Sequence, residues 1–185
     1  RSLSVFGATG SVGQSTLDLV RRNREAWRVV ALTANGNVEE LAALAREFRP
    51  QLVVCADPEC EPALACALAG EGIDIAAGAD ALVGVATLGA DLTMAAIVGF
   101  AGLAPTMAAI EAGRTVALAN KESLVAAGAL MMEAARASGA TILPVDSEHN
   151  AIFQCLSGQL DRVAKITLTA SGGPFRTSSL DMMRA

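Results

Sequence analysis

The chain has 185 residues, 52% of them hydrophobic, a formal net charge of −5 and a pI near 4.9. That length suits one domain, or one domain and the start of another, with a substantial buried core. The acidic balance excludes a polyanion binder, because neutralising phosphates takes a cluster of Lys and Arg that this chain lacks, so no nucleic-acid partner is expected.

From the first residues strand and helix patterns alternate. Leu3–Phe6 is a short apolar strand, Ser11–Arg22 a helix with Val12, Leu17, Leu19 and Val20 available for packing, and Arg28–Thr33 a strand rich in β-branched residues. A helix over Val38–Phe48 stops before Pro50, Leu52–Cys55 is a third strand, and Pro58–Ala69 is a helix with Pro near its start and Gly70 at its end. Further units are Ile73–Ala76, Asp80–Thr87, Leu92–Val98, Ala104–Ala112, Thr115–Leu118, Glu122–Ser138, Thr141–Leu143 and Glu148–Leu156. Leu92–Ile110 carries no charge and approaches the length of a membrane span, but Gly99, Gly102 and Pro105 break it into a buried strand, a loop and a helix, so no membrane association is expected. A last strand, Val163–Ala170, alternates apolar and polar residues as a one-faced sheet strand does, and is assigned to a new domain. The alternation predicts an α/β fold, a Rossmann-like, doubly wound, mostly parallel sheet over residues 1–144, followed over residues 145–185 by the truncated beginning of an α+β catalytic domain. The start at Arg1, directly before an apolar run, and the end in Asp181-Met182-Met183-Arg184-Ala185 read as a piece of a longer protein. Cys55, Cys60, Cys66 and Cys155 lack CxxC spacing and lie among apolar residues, which reads as reduced, buried thiols of a cytosolic protein.

Three polar clusters follow strands, where open α/β sheets place their ligands. Gly7-x-x-Gly10-x-x-Gly13, between the first strand and helix, permits a tight turn, close backbone approach to a pyrophosphate and a helix N-terminus aimed at the anion. An unliganded strand-to-helix turn uses the same glycines. The second strand ends in Thr33-Ala34-Asn35-Gly36-Asn37 without the carboxylate that would bind a ribose 2′-hydroxyl, which favours NADP(H) over NAD(H). Glu39 and Glu40 read as the solvated, dipole-favoured start of a helix.

The second cluster is Asn120-Lys121-Glu122-Ser123. Asn120 suits an N-cap and Glu122 the first turn, but Lys121 is a cation at the positive end of a helix, unfavourable unless an anionic ligand or carboxylate meets it. A structural and a functional reading of Lys121 both stand on these residues. In the third cluster Asp146 and Glu148 are two positions apart in a strand-to-helix turn, a spacing that lets alternate carboxylates converge on a hard divalent cation and equally suits an N-cap with a first-turn acid. Two carboxylates are too few for a complete site. His149, the only histidine, has no partner at ligand spacing and reads as structural or as a support to other ligands. Ser171-Gly172-Gly173-Pro174 suits a phosphate-binding turn or an ordinary loop. Together the clusters point to a nicotinamide-dependent, metal-assisted enzyme.

In order, GATGSVGQSTLDLV, AAIVGFAGLAPTMAAIEAGRTVALANKESLVAAG, ILPVDSEHNAIFQCL and ITLTASGGPFR resemble the 1-deoxy-D-xylulose 5-phosphate reductoisomerase family from Leu3 to about Arg176. The resemblance implies that Thr9, Gly10, Ser11, Val12, Gly36, Asn37, Asn120 and Glu122 contact NADPH. It implies substrate contacts from Lys121, Ser147, Glu148 and Ser171, with Lys121 and Glu148 catalytic, and Mg²⁺ or Mn²⁺ bound by Asp146 and Glu148. Gly36 stands where family members commonly carry a basic residue, a departure that bears on discrimination between NADPH and NADH. The implied reaction rearranges 1-deoxy-D-xylulose 5-phosphate and reduces the product to 2-C-methyl-D-erythritol 4-phosphate, in a cytoplasmic homodimer that makes isoprenoid precursors. A third metal carboxylate, a lid loop and a Ser-Asn-Lys phosphate grip are expected beyond Ala185, so this chain alone is expected not to turn over.

Short-chain reductases and sugar-nucleotide epimerases share the opening pattern but rely on a catalytic tyrosine, and this chain has none. Semialdehyde dehydrogenases use a cysteine in a polar, electropositive setting that none of the four cysteines has. A non-catalytic NADP(H)-binding sensor module is the alternative for the fragment; it predicts cofactor binding indifferent to Asp146 and no metal site.

Overall fold

A computed structural model of the chain describes residues 1–156, 158, 160–167 and 176–184. The chain divides into two compact units, Arg1–Asp146 and Ser147–Ala185.

The first unit is built on seven strands: β1 (Ser2–Phe6), β2 (Arg28–Ala34), β3 (Leu52–Cys55), β4 (Asp74–Ala77), β5 (Leu92–Ala95), β6 (Thr115–Leu118) and β7 (Thr141–Pro144). They form one sheet in the order β4-β3-β2-β1-β5-β6-β7, with every pair parallel. The chain winds outward from β1 to β4, then returns to lay β5 on the other side of β1. The loops leaving β1 and β5 therefore part in opposite directions and leave a crevice at the carboxyl end of the sheet.

Parallel neighbours require crossovers, and six helices supply them: α1 (Ser11–Arg22), α2 (Val38–Phe48), α3 (Glu61–Ala67), α4 (Ala79–Gly84), α5 (Leu103–Glu111) and α6 (Lys121–Ser138). On one face Leu17 and Val20 of α1, Leu41, Ala45 and Phe48 of α2 and Leu64 of α3 pack against Leu3 and Val5 of β1. On the other face Leu82 of α4, Ile110 of α5 and Met131 and Ala135 of α6 pack around Phe6, Ala95 and Val116. Each large side chain fully removed from water contributes roughly 1.5–3 kcal/mol, so both faces are needed to offset the ordering of the chain. A one-residue bulge shifts the pairing from Leu3↔Val29 to Ser4↔Ala31. It lets Val29 and Leu32, three positions apart, both serve the first face.

The departures from the sequence pattern have local causes. Residues 58–69 are not one helix: Pro58–Cys60 is a 3₁₀ turn capped by Asp57, and α3 restarts at Glu61. Pro62 lacks an N–H and is tolerated only in a first helical turn, so the helix must begin beside it. β5 ends at Ala95 rather than Val98 because its neighbours β1 and β6 end at Phe6 and Leu118 and offer no further ladder. Leu19, expected to pack, is 66% exposed, since Leu17 and Val20 define the buried stripe of α1 and Leu19 falls outside it.

In the second unit α7 (Ser147–Leu156) has no buried residue; it is followed by a 3₁₀ turn at Leu160–Arg162 and by α8 (Leu180–Arg184). The strand expected over Val163–Ala170 is not formed at residues 163–167, which have no strand partner among the described residues; residues 168–170 lie outside the described part. Among the described residues no helix is long and apolar enough to cross a membrane.

Candidate functional site at the carboxyl ends of the strands

The turn from β1 into α1 is a cradle closed by backbone contacts. Gly7 has φ +80°, and a Cβ there would lie 2.8 Å from the Ala96 carbonyl oxygen leaving β5. A Cβ on Gly13 would lie 2.2 Å from the Gly7 oxygen, so only glycine lets α1 settle so close to the loop. Thr33, fully buried at the end of β2, fixes the loop from behind: its Oγ1 accepts the Gly7 N–H at 3.1 Å and its carbonyl the Ala8 N–H at 2.7 Å. The Gln14 N–H bonds back to the Gly10 oxygen at 2.8 Å, leaving the Ser11 and Val12 N–H groups at the helix mouth without intrahelical acceptors. Gly10 and Ser11 are exposed there and Thr9 and Val12 are half-buried. Open donors, a helix dipole and absent Cβ atoms fit a diphosphate.

Beside this cradle, Asn35, Gly36 and Asn37 are exposed where the chain leaves β2. Asn37 caps α2 by accepting the Glu40 N–H at 3.3 Å, and its Nδ2 donates to Glu40 Oε2 at 2.7 Å. Glu40 is not simply solvated as expected: its Oε1 also accepts from Gln14 Nε2 at 2.5 Å, tying the start of α2 to α1. No cation lies in residues 35–37, so a phosphate there would be held by N–H and amide donors.

Asn120, at the end of β6, is 3% exposed and its amide is committed inside the protein. Oδ1 accepts the Ser123 N–H at 3.0 Å as the cap of α6, while Nδ2 donates to the Ile97 and Gly99 carbonyls at 2.7 and 2.8 Å. A Cβ on Gly102 would lie 2.5 Å from that Nδ2, so Gly102 makes room for the clamp. Its side chain therefore shapes the loop after β5, and Lys121 and Glu122 follow it exposed in the first turn of α6. Asp146, half-buried, ends the first unit; Ser147, Glu148 and His149 are exposed in the first turn of α7. Ser171 lies outside the described residues.

As donors, Asp146 and Glu148 match the oxygen chemistry of a hard divalent cation, and among the described residues no group of three His, Cys, Asp or Glu side chains forms a complete metal site. Burial of the cysteines holds only in part. Cys55 is buried and Cys60 half-buried, whereas Cys66 and Cys155 are exposed, because α3 buries only Leu64 and α7 buries nothing. Sequence reasoning missed Thr33, the Asn120 clamp on residues 97–99, and the Gln14–Glu40 link. Of these only the clamp left a signal, in Gly99 and Gly102 flanking an uncharged loop.

The sequence pattern of 1-deoxy-D-xylulose 5-phosphate reductoisomerase matches residues 3–128, and that of the C-terminal domain of the same enzyme matches residues 142–185. The chain is 59% identical to the 1-deoxy-D-xylulose 5-phosphate reductoisomerase of Zymomonas mobilis over 99% of its length and 47% of that protein's, and 57% identical to that of Cereibacter sphaeroides over 100% and 48%. It thus spans about half the length of the curated relatives it matches. The Zymomonas mobilis enzyme, solved in complex with NADPH, superposes with a TM-score of 0.92 at 59% identity, covering 99% of this chain and 48% of that one. A DOX-P reductoisomerase in complex with NADPH, fosmidomycin and magnesium superposes with a TM-score of 0.88 at 42% identity, covering 99% and 48%. With that pattern matched over most of its length, on the parallel sheet and glycine cradle described above, the chain belongs to the 1-deoxy-D-xylulose 5-phosphate reductoisomerase family.

Proposed function

We propose that this chain is the NADPH-binding part, with the start of the catalytic part, of an enzyme that isomerises and reduces 1-deoxy-D-xylulose 5-phosphate to 2-C-methyl-D-erythritol 4-phosphate. The observation that carries the reading is the glycine cradle at the switch point, where Gly7 and Gly13 admit no Cβ and the α1 N–H groups face outward. The complexes of similar proteins with NADPH, magnesium and fosmidomycin support the same chemistry here.

In this reading Thr9, Gly10, Ser11 and Val12 hold the cofactor's diphosphate, Gly36 and Asn37 its adenosine 2′-phosphate, and Asn120 and Glu122 its other end. Asn120 does so by positioning, since both its amide protons are committed to Ile97 and Gly99. Asp146 and Glu148 bind Mg²⁺ or Mn²⁺, while Lys121, Ser147, Glu148 and Ser171 bind the substrate, residues 1–144 forming the cofactor-binding domain and residues 145–185 the start of the catalytic one. When bound, NADPH would supply the hydride and the divalent cation a Lewis acid for substrate oxygens. Lys121 would place positive charge at oxygens that gain negative charge as the carbon skeleton rearranges, and Glu148 would serve as metal ligand and catalytic residue. The protein is proposed to act as a cytoplasmic homodimer in isoprenoid precursor synthesis.

The test is NADPH oxidation with 1-deoxy-D-xylulose 5-phosphate and Mn²⁺ by this chain completed with the C-terminal half of the Zymomonas mobilis enzyme, alongside Asp146→Asn. Turnover that disappears in the variant supports the reaction and the metal carboxylate. A folded, NADPH-binding chimera that does not turn over, while the intact Zymomonas mobilis enzyme does under the same conditions, counts against it.

A further inference from the structure

Cys55 closes β3, and Cys60 closes the 3₁₀ turn that follows it. Their sulfurs rest on consecutive carbonyls of the β2 loop: Cys55 Sγ donates to the Asn35 oxygen at 3.0 Å and Cys60 Sγ to the Gly36 oxygen at 3.7 Å. A Cβ on Gly36 would lie 3.7 Å from Cys60 Sγ, so the second thiol packs directly under that glycine. Burial pushes the Cys55 thiol up to about 11, and the neighbouring Cys60 adds to the shift. Two thiols five positions apart thus reach the two carbonyls of one dipeptide, Cys55 sealed in the core and Cys60 half-open to solvent.

We propose that Cys55 and Cys60 are a redox-active pair that a hydroperoxide converts to an intrachain disulfide, a modification site on the loop that carries the adenosine end of the cofactor. The placement of that cofactor end rests on the function proposed above; the disulfide does not. Cys60, the accessible member, attacks the outer peroxide oxygen as thiolate; the O–O bond breaks, an S–O bond forms, and the departing alkoxide takes a proton to leave as alcohol. The Cys55 sulfur then attacks the Cys60 sulfur, the S–S bond forms, the S–O bond breaks, and hydroxide leaves as water with the Cys55 proton. Two thiols lose two electrons and two protons, and the peroxide is reduced to alcohol and water.

The oxidised pair no longer donates to Asn35 and Gly36. Those carbonyls keep backbone partners, the Asp57 N–H at 3.0 Å and the Val38 N–H at 3.0 Å, so the loop stays in place but is held less tightly. The expected consequence is a weakening of NADPH binding of roughly twofold to tenfold, the scale of losing weak neutral hydrogen bonds.

The experiment uses the chain in a Cys66→Ser background, treated with hydrogen peroxide, alkylated, and cleaved at Glu59, which separates Cys55 from Cys60. Expected are Cys55 and Cys60 peptides linked within the monomer, released by dithiothreitol and absent in Cys60→Ser, with NADPH affinity lowered in the oxidised chain and restored on reduction. Overturning the pair would be oxidation of Cys60 beyond sulfenic acid, or of Cys155 alone, with Cys55 still reduced. Linked peptides with unchanged NADPH affinity would overturn the coupling to the cofactor loop. Failure of the reduced chain to bind NADPH would count against the proposed function while the peptide linkage still decided the disulfide.

Discussion

Replacing Gly13 by Ala tests whether the cradle is set by backbone contact. The new Cβ would lie 2.2 Å from the Gly7 oxygen and 2.7 Å from the Ala8 Cα and oxygen, all backbone atoms that cannot rotate away. Overpacking of this kind costs up to about 3 kcal/mol. Ala in place of Gly inside a helix returns about 1 kcal/mol, so the net loss is about 2 kcal/mol. For a chain of this size that lowers Tm by roughly 4–8 °C. Gly10→Ala is the control: its Cβ would meet the Gly7 oxygen at 3.4 Å with φ −80°, so only the helix-cap preference is lost, about 0.5–1 kcal/mol. Thermal unfolding followed by circular dichroism, with urea titrations of both variants, measures the difference. If Gly13→Ala melts no lower than Gly10→Ala, the close approach of α1 to the loop does not govern this turn, and the argument for the cradle fails.

Asn120→Ala removes a helix cap and two hydrogen bonds from a buried amide, and urea denaturation is expected to show a loss of roughly 2–4 kcal/mol. Lys121→Met in the completed enzyme is expected to lower kcat/KM by roughly a hundredfold or more while NADPH affinity, read by fluorescence, stays within about twofold. Glu47 is held below its ordinary carboxylate value first by its hydrogen bond from Arg21; burial opposes this next, and the charges of Arg21 and Arg24 add smaller lowering effects. A carboxylate depressed on folding stabilises the protein above its unfolded value, and that contribution is lost as pH falls through the folded one. Glu47→Gln should therefore be less stable than the parent at pH 7 and converge with it below the ordinary carboxylate range; equal stability of the two at pH 7 would contradict the assignment.

The alternation of Leu3–Phe6, Gly7–Gly13 and Ser11–Arg22 could be read directly, as could the endings of Val38–Phe48 and Leu52–Cys55, because apolar period, glycine spacing and proline punctuation act between near neighbours in the chain. Asn120 as a helix cap was readable for the same reason. Its grip on Ile97 and Gly99 was not, since it joins residues more than twenty positions apart. The strand order likewise belongs to the tertiary structure: a parallel pattern is compatible with several windings, and the return of the chain to place β5 beside β1 is what creates the crevice. The same winding stacks β3 on β2 and so sets Cys55 and Cys60 under Asn35 and Gly36, a pairing that sequence spacing treats as two unrelated thiols. Sequence by itself determined most elements of the first unit, the glycine turn and the family resemblance, because these reside in local runs of residues. Which loops meet at one end of the sheet, and which polar groups are committed there, was decided by strand pairing between segments far apart in the chain.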